Sequence, residues 1–230
     1  MFPPFLLVSL LLFVVWLVLF LFSLSTRREQ ILMSLVGLVA SPAALLLAVT
    51  DGRTDALYAH AVGVEDLLFT FALFGIAAVI YQAVFGKRVH KLRGEAFRLP
   101  HPVMHWGVHL LLIFVSWIVV ALVAEITLHI PSIQAAIAGG LLVATYIIAD
   151  RHDLVLNALL SGLFMAILLF TLEQIFFIRL FPSAALDMWN VTGLSGLALG
   201  GIPLEELTWA AVIGFAVGPV YEYVRKYKLV

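Results

Sequence analysis

"GGIPLEELTWAAVIGFAVGPVYEYVRK", residues 200–226, is apolar enough through its centre to cross a bilayer, yet it opens on Glu205 and Glu206 and closes on Tyr221-Glu222-Tyr223. Sliding the chain on itself by 140 residues lays "VEDLLFTFALFGIAAVIYQAV" (64–84) over "LEELTWAAVIGFAVGPVYEYV" (204–224) without a gap. Glu65 falls on Glu205, Asp66 on Glu206, Phe69 on Trp209, Tyr81 on Tyr221 and Gln82 on Glu222. Two apolar helices match easily by chance. Rare polar residues that coincide at both ends are the informative part. A weaker echo links "RREQILMSLVGLVASPAALLL" (27–47) with "DRHDLVLNALLSGLFMAILLF" (150–170).

Composition sets the medium in which such a repeat must fold. Of the 230 residues, 63% are hydrophobic and 12% charged, and mean hydropathy is +1.12. That leaves too few polar residues to coat a soluble domain, so the chain reads as an integral membrane protein. There are no cysteines, which excludes disulfides, thiolate metal sites and Cys nucleophiles. The first apolar run lacks a basic leader and is long enough to span, which favours a helix over a signal peptide.

Seven spans are expected, near 5–24, 31–50, 66–86, 105–128, 132–149, 154–180 and 203–223. With the repeat, the fold expected is a single all-α membrane domain of seven transmembrane helices. Helices 1–3 and 5–7 form a parallel 3+3 internal repeat, and helix 4 is the connector. The units run over 1–90 and 131–230, with the connector over 91–130. Three plus one helices precede the second unit, so both units face the same way. One side of the membrane would carry Arg27, Arg28, Lys87, Arg88, Lys91, Arg93, Arg98, Arg151, Arg225, Lys226 and Lys228, against Arg53 and Arg179 on the other. This bias puts the C-terminus in the cytoplasm and the N-terminus outside.

Both acidic pairs then sit at the outer mouths of helices 3 and 7, and a site between the halves follows from the repeat. Capping alone also suits them: Pro203 is placed for a first helical turn, where carboxylates meet the positive end of the macrodipole. Glu173, in "ILLFTLEQIFFIRLF", and Glu125, in "WIVVALVAEITLHI", lie deeper. A carboxylate at such depth costs about 2.5–3.5 kcal/mol on insertion scales, so each should face the bundle. Packing against a neighbouring helix or donating a proton would both explain them. His105 and His109 have helical metal-ligand spacing, with His101 just before, but they lie on the basic side and read as interfacial. Tyr58, His60, Trp189 and Asn190 occupy the outer loops before helices 3 and 7.

Several activities are excluded. Helix 7 has no Lys for a retinal Schiff base, and there is no dinucleotide fingerprint, phosphate loop, Ser-His-Asp set or HExxH motif. Redox-neutral acid–base chemistry on an apolar substrate remains, or transport with few charges.

At "MWNVTGLSGLALGGIPLEELTW" (188–209) the sequence resembles the membrane-embedded lycopene cyclase domain family. There a Pro-x-Glu-Glu/Asp motif opens a membrane helix after a loop with a Trp-Asn-like element. Members occur as two small three-helix subunits or as a fused chain with a connecting helix, the form this repeat resembles. The first unit departs from the motif, with Gly63 where the second has Pro203. The resemblance implies a redox-neutral carotenoid cyclase that converts linear lycopene ends to β-rings by protonation, ring closure and proton loss. It implies Glu205, Glu206, Glu65 and Asp66 as the acid–base set with Glu173 as partner. Trp209, Phe69, Pro203, Asn190, Trp189 and Glu125 would lie about the substrate, with aromatic faces stabilising the cation. No cofactor and no metal are expected. Expected partners are an apolar carotenoid or terpenoid substrate and membrane lipids, with no nucleic acid; a homo-oligomer is compatible with such a bundle. The alternatives are a carrier or binding protein for an apolar or prenyl ligand, a catalytically divergent member of the family, and an assembly subunit whose acids only cap helices.

Overall fold

The computed structural model describes residues 4–50, 63–86, 89–91, 102–184 and 194–229. Eight α-helices lie among them. They are α1 (Pro4–Phe22), α2 (Arg27–Thr50), α3 (Val64–Phe85), α4 (Pro102–Leu128), α5 (Ser132–Asp150), α6 (Val155–Glu173), α7 (Leu204–Val217) and α8 (Val220–Arg225). Among the described residues six segments are long and apolar enough to cross a membrane: Pro4–Phe22, Val64–Phe85, Trp106–Leu128, Ser132–Asp150, His152–Leu180 and Leu204–Arg225. The chain is a multi-pass membrane protein whose candidate spans are all helical. The remaining expected span, 31–50, falls inside the 24-residue α2.

Boundaries differ from expectation where backbone chemistry intervenes. Helix α2 begins at Arg27 rather than 31, so Glu29 lies in its first turn. The sixth span is not uniform: after Glu173 it widens into a π-helical turn, Gln174–Leu180, closed by Phe181 N–H donating to Phe176 O at 2.7 Å. The last span breaks at Gly218-Pro219, because proline lacks an N–H and crowds the preceding turn; α7 stops at Val217 and α8 restarts at Val220.

Helices α3 and α7 form the centre. Every residue from Ala72 to Gln82 is buried, as a helix enclosed on all sides requires. Helix α2 packs along α3 and α6 along α7, while α1 also lies on α3 and α5 on α7. Small residues permit the approach. A Cβ on Gly37 of α2 would lie 2.5 Å from Thr70 O and 2.7 Å from Phe74 Cβ, and one on Gly162 of α6 would lie 2.8 Å from Ala211 O.

Two short antiparallel ribbons trim the ends. Strand β1 (Val89–Lys91) pairs with β4 (Tyr227–Leu229), Val89 opposite Leu229. Strands β2 (Ala198–Leu199) and β3 (Ile202–Pro203) form a hairpin turned by Gly200-Gly201, both at positive φ (61° and 88°). A two-residue turn with two left-handed positions suits glycine. Beside β4, Arg151 donates to Tyr227 O at 2.8 Å and to both Asp153 carboxylate oxygens at 2.7 and 2.6 Å. The bonds to Asp153 hold the guanidinium above its ordinary pKa.

Candidate active site

The acidic mouths differ in what they hold. At the start of α3, Asp66 Oδ2 accepts from Gly63 N–H at 2.9 Å, the return half of a capping box. Glu65 folds back so that its carboxyl lies against Gly63. Thr70, one turn on, donates to Asp66 O at 2.9 Å. Capping therefore accounts for Asp66.

At the start of α7, Glu205 is buried, with Oε1 accepting from Ser195 N–H at 2.6 Å and Oε2 unpartnered. Glu205 ties the loop before the hairpin to the helix. Pro203 is buried at the end of β3, immediately before α7 rather than inside it. Glu206, the residue after Glu205, lies within electrostatic reach of Glu173. Glu173 is 9% exposed at the end of α6, and its Oε2 has no hydrogen-bond partner. Gln174, the first residue of the π turn, donates to Gly200 O at 2.6 Å and pins the hairpin over that turn. The structure thus brings together two carboxyls from different helices, Glu173 and Glu206, that lie 33 positions apart in the sequence.

An apolar cavity of about 100 Å³ opens between the central helices. Thr70, Leu73 and Phe74 of α3 line it, as do Trp209 and Ile213 of α7. Helix α2 adds Gly37, Ala40 and Ser41; Phe114, Trp117 and Ile118 come from α4, and Ala136 from α5. No lining residue is charged. Trp209 lies four residues after Glu205, and Thr70 four after Asp66, so the cavity begins about one helical turn, roughly 6 Å, inside the acidic mouths. Glu125 is buried eight residues beyond Trp117 on the same stripe of α4. Phe69 does not line the cavity; its ring packs against Phe5 at 5.4 Å. Trp189 and Asn190 lie outside the described residues, as do Tyr58, His60 and His101.

Residues 131–224 match the lycopene cyclase family model. The lycopene cyclase match takes in α5, α6 and α7 with their connecting loops, and so holds Glu173, Glu205, Glu206 and Trp209. Residues 1–130 lie outside it. No curated protein and no solved structure matches the chain.

The sequence reading missed two groups. Phe74, Phe114 and Trp117 looked like ordinary apolar residues of spans; the pair Gly139-Gly140, which makes room for Trp117, was the available signal. At the opposite end of the bundle, Gln82 Nε2 donates to both carboxylate oxygens of Glu29 at 3.0 and 3.1 Å and to Glu222. All three side chains are buried. The meeting of Glu29 with Glu222 through Gln82 cannot be read from local pattern.

Proposed function

We propose that this chain is a lycopene cyclase-type isomerase that closes rings on the ends of a linear carotenoid without redox change. The observation that carries the reading is an uncharged aromatic-lined cavity one turn inside carboxyl-bearing helix mouths, in a chain whose 131–224 segment matches the lycopene cyclase family. The apolar, aromatic lining of the cavity suits a hydrocarbon end group, with the rest of the polyene lying toward lipid.

The reaction needs a neutral carboxylic acid and a carboxylate. A carboxyl O–H transfers its proton to one carbon of the terminal double bond, forming a C–H bond and a tertiary carbocation. The π pair of an internal double bond then forms the ring C–C bond and moves the positive charge onto the ring. A ring C–H breaks, its proton passing to a second carboxylate. Atoms and electrons balance, and substrate and product are isomers. Glu173 and Glu206 are the exchanging pair in this account. Glu205 orders the loop at the mouth, and Glu65 and Asp66 close the equivalent mouth of α3.

The fused two-unit architecture belongs to the same proposal. The pairing of α2 with α3 and α1 with α3 parallels that of α6 with α7 and α5 with α7. Gln82 and Glu222, 140 positions apart, are hydrogen-bonded, and Val89 pairs with Leu229, also 140 apart. Residues meet their own repeat mates only on a two-fold axis, so these contacts support two parallel units about an axis along the helices. With Arg27, Arg151 and Arg225 at the cluster end, that end faces the cytoplasm and the carboxyl mouths face outward.

Expression in lycopene-accumulating cells tests the function. Red pigment should turn yellow as the ring double bonds twist out of the polyene plane and shorten the effective conjugation. Unchanged lycopene with the protein present in the membrane would sink the reading.

A further inference from the structure

Most of the cavity is built by α2, α3 and α7, and one wall comes from the connector α4; α2, α3 and α4 all lie outside the matched segment. That wall is aromatic. Phe114 stacks with Trp117 at 6.2 Å and 17°, and Phe74 of α3 meets Phe114 at 5.7 Å.

Trp117 is held with more care than lining a greasy hole requires. It is 8% exposed, and its Nε1–H donates to Ala136 O at 2.8 Å, fixing the ring's orientation. The indole lies on two glycines of α5. A Cβ on Gly139 would stand 2.8 Å from Trp117 Cδ1, and one on Gly140 would stand 2.6 Å from Cζ2. Any larger residue at either place would push the indole aside. Shape alone could be supplied by leucine, which needs neither the glycine seat nor the hydrogen bond. An oriented π face offers something leucine does not: a negative quadrupole for a positive charge. Phe74, Phe114 and Trp209 are the other aromatic faces of a lining in which no residue carries a charge and Ser41 and Thr70 present only hydroxyl dipoles.

We infer that Trp117, backed by Phe114, is the cation-stabilising wall of the cavity, and that the connector helix therefore completes the site. The inference rests on the cyclase reading, since that reaction puts a carbocation in the cavity. The proton still passes between carboxyls and the new C–C bond still forms within the substrate; Trp117 forms no bond.

Two measurements separate the wall from the reaction. In membranes supplied with lycopene, turnover should fall in the order wild type, Trp117→Phe, Trp117→Leu. The leucine variant should lose at least ~10-fold in kcat with little change in KM, while the lower melting midpoint expected of a truncated buried indole stays above the assay temperature. Independently of turnover, a branched apolar trialkylammonium compound should bind the wild-type protein at least ~10-fold tighter than its neutral hydrocarbon isostere, and W117L should erase that preference. Phe114→Leu, which leaves the indole seat intact, should weaken the preference in the same direction. Wild-type turnover in W117L, or a cation preference that survives it, overturns the inference. A wild-type protein that prefers the ammonium compound but leaves lycopene unchanged would keep the aromatic wall and overturn the cyclase reading instead.

Discussion

Glu173 and Asp66 illustrate how two acids of the same chain acquire different work. Asp66 spends its carboxylate on the backbone N–H of Gly63, so Asp66→Ala should cost about 1 kcal/mol as a lost cap. Asp66→Asn, which keeps an acceptor in place, should melt near wild type in detergent. Glu173 has one oxygen without a partner and a second carboxyl, Glu206, in electrostatic reach. Glu173→Gln keeps the shape and removes the transferable proton, so ring formation should drop at least ~100-fold by chromatography of the pigments. Undiminished conversion would remove Glu173 from the reaction. At the far end, Gln82 is the common donor to Glu29 and Glu222. Gln82→Leu would leave two buried carboxyls without it, and a destabilisation on the order of 3 kcal/mol is expected from thermal melting.

At the scale of the element, the informative features are the breaks in regular helix. Long apolar runs made the spans legible, because a bilayer permits few alternatives to a helix. The π turn after Glu173 was not legible, since one extra residue per turn leaves no mark in an apolar run. The stop at Gly218-Pro219 was written in the sequence, but the length of apolar chain around it outweighed the proline in the reading. The rigid αα contacts beneath the cavity depend on glycine. Gly140→Val would drive a side chain into Trp117 and Val212, and overpacking of this kind should cost about 1–3 kcal/mol with loss of cation preference in the cavity.

The whole molecule is organised around contacts that local pattern cannot reveal. Glu65-Asp66 and Glu205-Glu206 were visible as rare polar residues at equal spacing, so the two mouths could be found from sequence. The cavity needed five helices to be placed, and the Glu29–Gln82–Glu222 cluster needed hydrogen-bonded residues 53 and 140 positions apart to meet. The two-unit account makes a whole-molecule prediction from that spacing. V89C combined with L229C, in a chain without native cysteine, should oxidise to an intramolecular disulfide, because those residues are partners in the β1–β4 ribbon. Free thiols persisting under oxidant would count against the axis. The central claim, ring closure by proton exchange, is tested most directly by mass spectrometry of pigment made from lycopene by the purified protein in deuterated water. The account predicts cyclic product formed without added redox cofactor and carrying one deuterium for each ring. Rings free of solvent deuterium, or lycopene left linear, would contradict it.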